Sequence, residues 1–233
     1  MRHTLRMMLI VCGIMLTPPL LLICFKVASV VSATYPYWTT YTDSTQPIRL
    51  HFPATNVTYL IPANLLDGAA RYRSGAAEVE DALMFALLPD IEGRSEENRS
   101  RFKSPNTQDS IHILISSSGG INVDLEPTIS AMEGDLSEHT IRISEWDGLR
   151  MRRQIPPKTG NWGWKESYRL REGGRTPLGI VCDGDGLYRA PGCSMAFLID
   201  GNLVRATFRK PHLKDWRMIR DAITGKFAAW KVP

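Results

Sequence analysis

The sequence predicts an α+β protein: an N-terminal transmembrane helix, then a mainly antiparallel β domain with a C-terminal amphipathic helix packed on its sheet. Three observations carry this. Residues 7–25, MMLIVCGIMLTPPLLLICF, hold no charge. The second half alternates apolar and polar residues in runs broken by Asp-Gly. Near the end, Leu213, Trp216, Ile219, Ile223, Phe227 and Trp230 recur at spacings of 3, 3, 4, 4 and 3, one stripe of a helix.

The apolar run comes first. Lys26 ends it, and VASVVSA carries its character to Ala33. That is enough to cross a bilayer core of about 30 Å. Val31-Ser32-Ala33 also suits signal cleavage, so a long signal peptide is the rival reading of residues 1–33. Tyr35, Tyr37, Trp38 and Tyr41 follow, as aromatics do at headgroup level, and favour an uncleaved anchor over residues 7–33. Arg2 and Arg6 precede the run, so the positive-inside bias leaves the N-terminus in the cytoplasm. The expected organisation is an anchor at 1–33, a juxtamembrane linker at 34–46 and an extracytoplasmic α+β domain at 47–233. The expected location is the inner membrane, single-pass, with the domain in the periplasm.

Charge narrows the partners. The chain has 28 basic and 24 acidic residues. The anchor takes three of the basic ones (Arg2, Arg6, Lys26), which leaves 25 against 24. A nearly neutral domain lacks the electrostatic basis for binding nucleic acid.

The β elements follow in order. IRLHF (48–52), VTYLI (57–61) and SIHILI (110–115) read as strands, DALMFALLPD (81–90) reads as a strand or a helix with the strand favoured, and Ser95 reads as the cap of a short helix running to about Phe102. HTIRISEW (139–146) and LRMRRQI (149–155) flank Asp147-Gly148, the strongest short hairpin signal. Ile141 and Ile143 share one face of the first run; Leu149, Met151 and Ile155 share one of the second. WKESYRLR (164–171), PLGIV (177–181), MAFLI (195–199) and LVRATFR (203–209) continue the sheet. Pro211 suits the first turn of the closing helix, and Gly225 is expected to end or loosen it.

Between two of these strands lies CDGDGLYRAPGC, residues 182–193. Cys182 and Cys193 are the only cysteines beyond the apolar run. Thiols outside the cytoplasm oxidise, so a disulfide across a hairpin loop is the leading expectation. As an EF-hand loop the stretch fails: after Asp183 and Asp185 the third ligand position is Leu187, the glycine position is Tyr188 and the twelfth is Ser194. No neighbouring His completes a zinc site, and no cofactor or metal is expected.

Catalytic signatures are few. His-Glu-x-x-His, a phosphate-cradling glycine loop and Gly-x-Ser-x-Gly do not occur. SSSGG (116–120) lacks the glycine before the serine, and His51, His112, His139 and His212 are scattered. Asp90, Glu92, Glu96 and Glu97 form an acidic group that reads either as a solvated turn or as paired carboxylates. NWGW (161–164) places Trp162 and Trp164 in a loop, exposed as a partner or glycan surface or buried as core. Arg150 and Arg152 on one strand and Arg205 and Arg209 on another supply basic faces. Aromatic and arginine side chains are the usual anchors of protein interfaces, so these six residues are the candidate partner contacts.

YLIPANLL (59–66), LLPDIEGRSEEN (87–98), the Cys182/Cys193 pair and HLKDW (212–216) resemble a loose group of uncharacterised membrane-anchored envelope proteins. That group is found beside polymorphic-toxin and type VI secretion loci in Gram-negative bacteria, and some of its members look like immunity proteins. The resemblance implies an envelope protein-binding module, an immunity or inhibitor protein acting on a partner in the cell envelope. The alternative is an anchored hydrolase acting on wall or glycan material through the acidic group and the tryptophan loop.

Overall fold

The computed structural model describes residues 42–72, 74–103, 108–117, 124–134, 140–155, 164–185 and 190–233. The expected anchor at 7–33 lies outside the described residues. Among those described, no helix is long and apolar enough to cross a membrane.

Strands β1 (Pro47–Phe52) and β2 (Val57–Pro62) form an antiparallel hairpin, and β3 (Ala76–Glu78) adds to β1 in parallel, giving the order β2-β1-β3. Strict alternation buries Leu50, Phe52, Tyr59 and Ile61 on one side of this small sheet. The main sheet has eight strands: β4 (Asp81–Leu87), β5 (Ser110–Ser116), β6 (Thr140–Trp146), β7 (Leu149–Ile155), β8 (Lys165–Glu172), β9 (Arg175–Asp183), β10 (Gly192–Ile199) and β11 (Asn202–Arg209). Their order is β4-β5-β11-β10-β9-β8-β7-β6, and every pairing is antiparallel.

Six strands, β6 to β11, run as a meander because tight turns follow one another. Asp147-Gly148 (φ 47° and 74°) and Asp200-Gly201 (φ 48° and 79°) both put two residues in the left-handed region. That twist matches the strands, and Asp-Gly tolerates it best. The pair β4–β5 then docks beside β11, where Ile115 faces Val204.

Helix α1 (Arg99–Lys103) is short. Ser95 does cap, but the cap closes a turn: the Ser95 N–H donates to Asn98 Oδ1 (2.7 Å) and the Asn98 N–H to Ser95 Oγ (3.3 Å). The helix therefore starts at Arg99, later than expected. Helix α2 (Glu126–Glu133) and the three-residue β3 were not anticipated from the sequence. A 3-10 turn, Lys210–Asp215, leads into α3 (Trp216–Trp230). Gly225 sits within α3, where an added Cβ would meet nothing within 4 Å, and the helix does not end there but runs on to Trp230.

The stripe of α3 is buried at Trp216, Ile219, Ile223 and Phe227. It joins the small sheet and one face of the main sheet in a single apolar cluster. Tyr59 meets Phe227 edge-on at 5.0 Å. Each such side chain contributes roughly 1.5–3 kcal/mol by leaving water. After α3 the chain pairs briefly with β2, the Val232 N–H donating to Thr58 O at 2.9 Å.

One face assignment differs from the simplest reading of the hairpin. Ile143 stands opposite Arg152, and Leu149 opposite Trp146. The isoleucines of β6 therefore lie on the outer face while Leu149 and Met151 line the core, and Ile143 is 54% exposed. An edge strand can afford this because its outer face has no second layer to fill.

Candidate partner-binding surfaces

Cys182 and Cys193 are directly opposed on β9 and β10 and are bridged, with Cα atoms 4.0 Å apart. In a loop of this length the bridge removes about 2–3 kcal/mol of unfolded-chain entropy. The aspartates of the loop bind protein cations. Asp183 Oδ1 meets Lys165 Nζ at 2.5 Å, and its Oδ2 accepts the Gly192 N–H at 3.0 Å. Asp185 meets Lys210 at 2.8 Å.

Beside this loop lies Trp164, only 6% exposed. Its indole covers Gly184 so closely that a Cβ there would fall 2.1 Å from the ring. Arg153 lies 4.9 Å and Lys210 5.9 Å from the ring centre. Trp164 is thus a core residue under the stapled loop, not the exposed anchor its position in NWGW allowed. Trp162 lies outside the described residues. The cations that flank the Trp164 ring also reach the buried Glu166, which takes Lys210 Nζ (2.7 Å), Arg153 Nε (3.1 Å) and the Tyr168 hydroxyl (3.1 Å). Burial first, then the Glu166 charge, raises the Tyr168 hydroxyl well above its ordinary value.

The outer face of the main sheet is organised by α2. Asp124 Oδ1 accepts the N–H groups of Glu126 and Thr176, both at 3.1 Å, and so pins the helix start to β9. Glu126, Ile129 and Glu133 then fall on one side of α2 at helical spacing. Ile129 seats on Gly179, where a Cβ would come within 2.1 Å of its Cδ1. The two glutamates straddle Arg169 of β8, which is fully buried. Its Nε donates to Glu126 (2.9 Å), and its two terminal nitrogens donate to Glu133 (2.9 and 2.8 Å). Ser167 also hydrogen-bonds Glu133, and Arg152 lies 3.3 Å from it. Burial alone would raise the Glu133 carboxyl; the bonds from Arg169 and Ser167 and the nearby arginine charges outweigh it and hold the group below its ordinary range.

All four candidate arginines project from this outer face, but α2 divides them. Arg150 and Arg152 stand on β7; Arg205 and Arg209 stand on β11, four strand spacings or roughly 19 Å away. Arg152 is engaged by Glu133, and Arg209 donates to Ala190 O at 2.8 Å. Arg150 and Arg205 are exposed. Around Arg205 the face carries half-buried Leu83, Phe85 and Leu114, with His112 against Phe85 at 4.0 Å between ring centres. Partial loss of water and the charge of Arg209 both lower the His112 pKa.

A cleft of about 430 Å³ opens on another side, between the loop after β4 and the start of α3. Asp90 and Glu92 line it, whereas Glu96 and Glu97 do not. The four acidic residues therefore do not form one cluster. Ser95 holds the Glu97 carboxyl below its ordinary value, the wrong direction for a general acid. Sequence reasoning missed this cleft, because its walls come from stretches some 120 residues apart. The signal lies in LLPDIEG and HLKDW, which supply its two walls. A second contact joins the quoted stretches: Asn64 of YLIPANLL donates to Arg94 O (2.8 Å), and the Arg94 N–H donates to Asn64 O (3.1 Å).

The fold is similar to that of two solved structures. One is Smlt3025, an immunity protein of the Stenotrophomonas maltophilia type IV secretion system, with a TM-score of 0.59 at 18% identity, covering 82% of this chain and 95% of that one. The other is the Neisseria meningitidis iron-regulated outer membrane lipoprotein FrpD, with a TM-score of 0.55 at 11% identity, covering 82% and 94%. No family model and no curated protein matches this sequence. The secretion system named for the first structure is type IV, whereas the sequence resemblance pointed to type VI loci. At these identities the likeness is one of fold.

Proposed function

We propose that the chain is a membrane-anchored extracytoplasmic protein that binds and neutralises a secreted effector, an immunity module of the cell envelope. The observation that carries this is the fold shared with 95% of an immunity protein. Three features support it. The bridged Cys182–Cys193 pair suits an oxidising compartment. Residues 7–33 have the length and flanks of an anchor. Exposed Arg150 and Arg205, the latter beside half-buried Leu114, offer the mixture of cation and apolar surface that protein interfaces favour.

The test is co-expression of the full chain with the secreted proteins encoded beside it. The expected result is restored growth against one of them and a stoichiometric complex with that protein. Persistent growth arrest at full expression, with no complex, overturns the reading. Fractionation tests the anchor separately: the chain should stay in washed membranes with its N-terminus intact. A soluble mature protein beginning at Thr34 replaces the anchor with a cleaved signal.

A further inference from the structure

We propose that the cleft between the β4 exit loop and α3 is a socket for one arginine side chain presented by an exposed loop of a bound protein. The immunity reading supplies the source of that arginine; the chemistry of the socket stands without it.

The walls come from two of the stretches singled out in the sequence. Leu88, Pro89, Asp90 and Glu92 form one side; His212 and Asp215 of the 3-10 turn, with Met218 and Ile219 of α3, form the other. The floor is apolar, since Leu88 and Ile219 are buried. Met218 is 50% exposed, one of the few large apolar side chains so open among the described residues.

The rim is acidic. Asp90, Glu92, Asp109 and Asp215 face one guanidinium, Arg101, and the imidazole of His212. Asp109 is shared by Arg101 (3.1 Å) and His212 (3.5 Å), and His212 lies 3.8 Å from Asp215. Asp90 and Glu92 make no side-chain hydrogen bond or ion pair among the described residues. The cleft therefore carries excess negative charge over an apolar floor.

That combination selects its occupant. A small inorganic cation would use the carboxylates but not the floor, and no group of three or more ligating side chains is assembled among the described residues. An apolar side chain would use the floor and leave the carboxylates unmatched. Arginine uses both: its methylenes lie along apolar surface while its planar fork pairs with carboxylates. The space, about 430 Å³, falls within the roughly 300–1,000 Å³ typical of small binding sites.

The experiment titrates the full chain in detergent micelles, with ¹³C-labelled methionine, leucine and isoleucine methyls, against N-acetyl-arginine amide. N-acetyl-citrulline amide, of the same shape without the charge, is the control. The Met218, Leu88 and Ile219 signals should shift saturably with the arginine compound and at least about tenfold more weakly with the citrulline one, the scale of a lost charge-assisted bond. The double variant Asp90→Asn/Glu92→Gln should weaken arginine binding by about tenfold with unchanged thermal melting, and Arg205→Ala on the far face should not alter it. Equal response to both compounds, no saturable shift, or shifts confined to other methyls overturns the socket. If the chain protects cells while the cleft ignores arginine, the socket fails and the immunity reading stands. A cleft that takes arginine in a chain that protects against nothing gives the opposite result.

Discussion

Two adjacent rows of the main sheet show how differently its faces are held. On the core side, Met84, Ile113, Ala206, Met195, Ile180, Tyr168 and Met151 stand in register across seven strands. One residue along, on the outer side, the row reads Leu83, Leu114, Arg205, Ala196, Gly179, Arg169 and Arg150. The first row is held by burial, which asks mainly for volume and apolarity. The second sets Arg150 directly opposite Arg169, a like-charged pair that is unfavourable by itself. Glu126 and Glu133 of α2 offset it. Burial closes one face without regard to direction; the ion pairs on the other locate one helix at one register.

The largest expected effect tests the core side. Phe227→Ala should lower stability by about 3–5 kcal/mol in urea denaturation, because the side chain is fully buried and touches both Tyr59 and Trp230. A loss under about 1 kcal/mol would mean that α3 does not seal the core. Next comes the outer face. Arg169→Met should cost about 3 kcal/mol, since it leaves Glu133 buried and short of donors. Adding Glu133→Leu should recover most of that, because an apolar pair of similar volume often matches a buried ion pair. A double variant no better than the single one would show the clamp to be held by net attraction, not merely by the cost of an unmatched charge.

The smallest effect is a pH dependence at the outer face. Glu133 has a folded-state pKa below its ordinary value of 4.5. Its contribution is therefore present above about that pH and is lost as pH falls through the depressed value. Amide protection in α2, measured against the intrinsic exchange rate at each pH, should fall on acidification from about pH 6 to about pH 3 before protection in α3 does, and Glu133→Gln should remove that difference. Equal acid sensitivity of the two helices would break the contrast.

Local chemistry was legible in the sequence, and distant partnership was not. The Asp-Gly turns, the alternation in β8 to β11, the α3 stripe and the cysteine pair each depend on neighbours within a dozen residues. α2 had a readable signal, Leu125, Ile129 and Met132 at spacings of 4 and 3, with Pro127 near its start. The pairing of Glu133 with Arg169 had none, because a charge in a strand does not announce the helix that will cover it. The inverted face of β6 was hidden for a related reason: periodicity gives the faces of a strand but not which of them is inside. Trp164 went the same way, since only the packing against Gly184 shows that its ring is enclosed. For the candidate contacts, the sequence offers the arginines as candidates but does not show their separation by α2.

The docking of β5 on β11 has a consequence for how the chain is made. Ile115 finds Val204 only after the intervening strands exist, while the β6–β11 meander can form from local hairpins. On the proposed route of export, β1 to β5 reach the far side of the membrane first and wait there. Ile111, Ile113 and Ile115 of β5 stay uncovered meanwhile, and such late closure of distant contacts makes for slow, aggregation-exposed folding. The disulfide cannot shorten the wait, because both its cysteines lie among the last strands to arrive. On that proposed route, chaperones that shield isoleucine-rich strands should govern the yield of this protein more than thiol oxidases do.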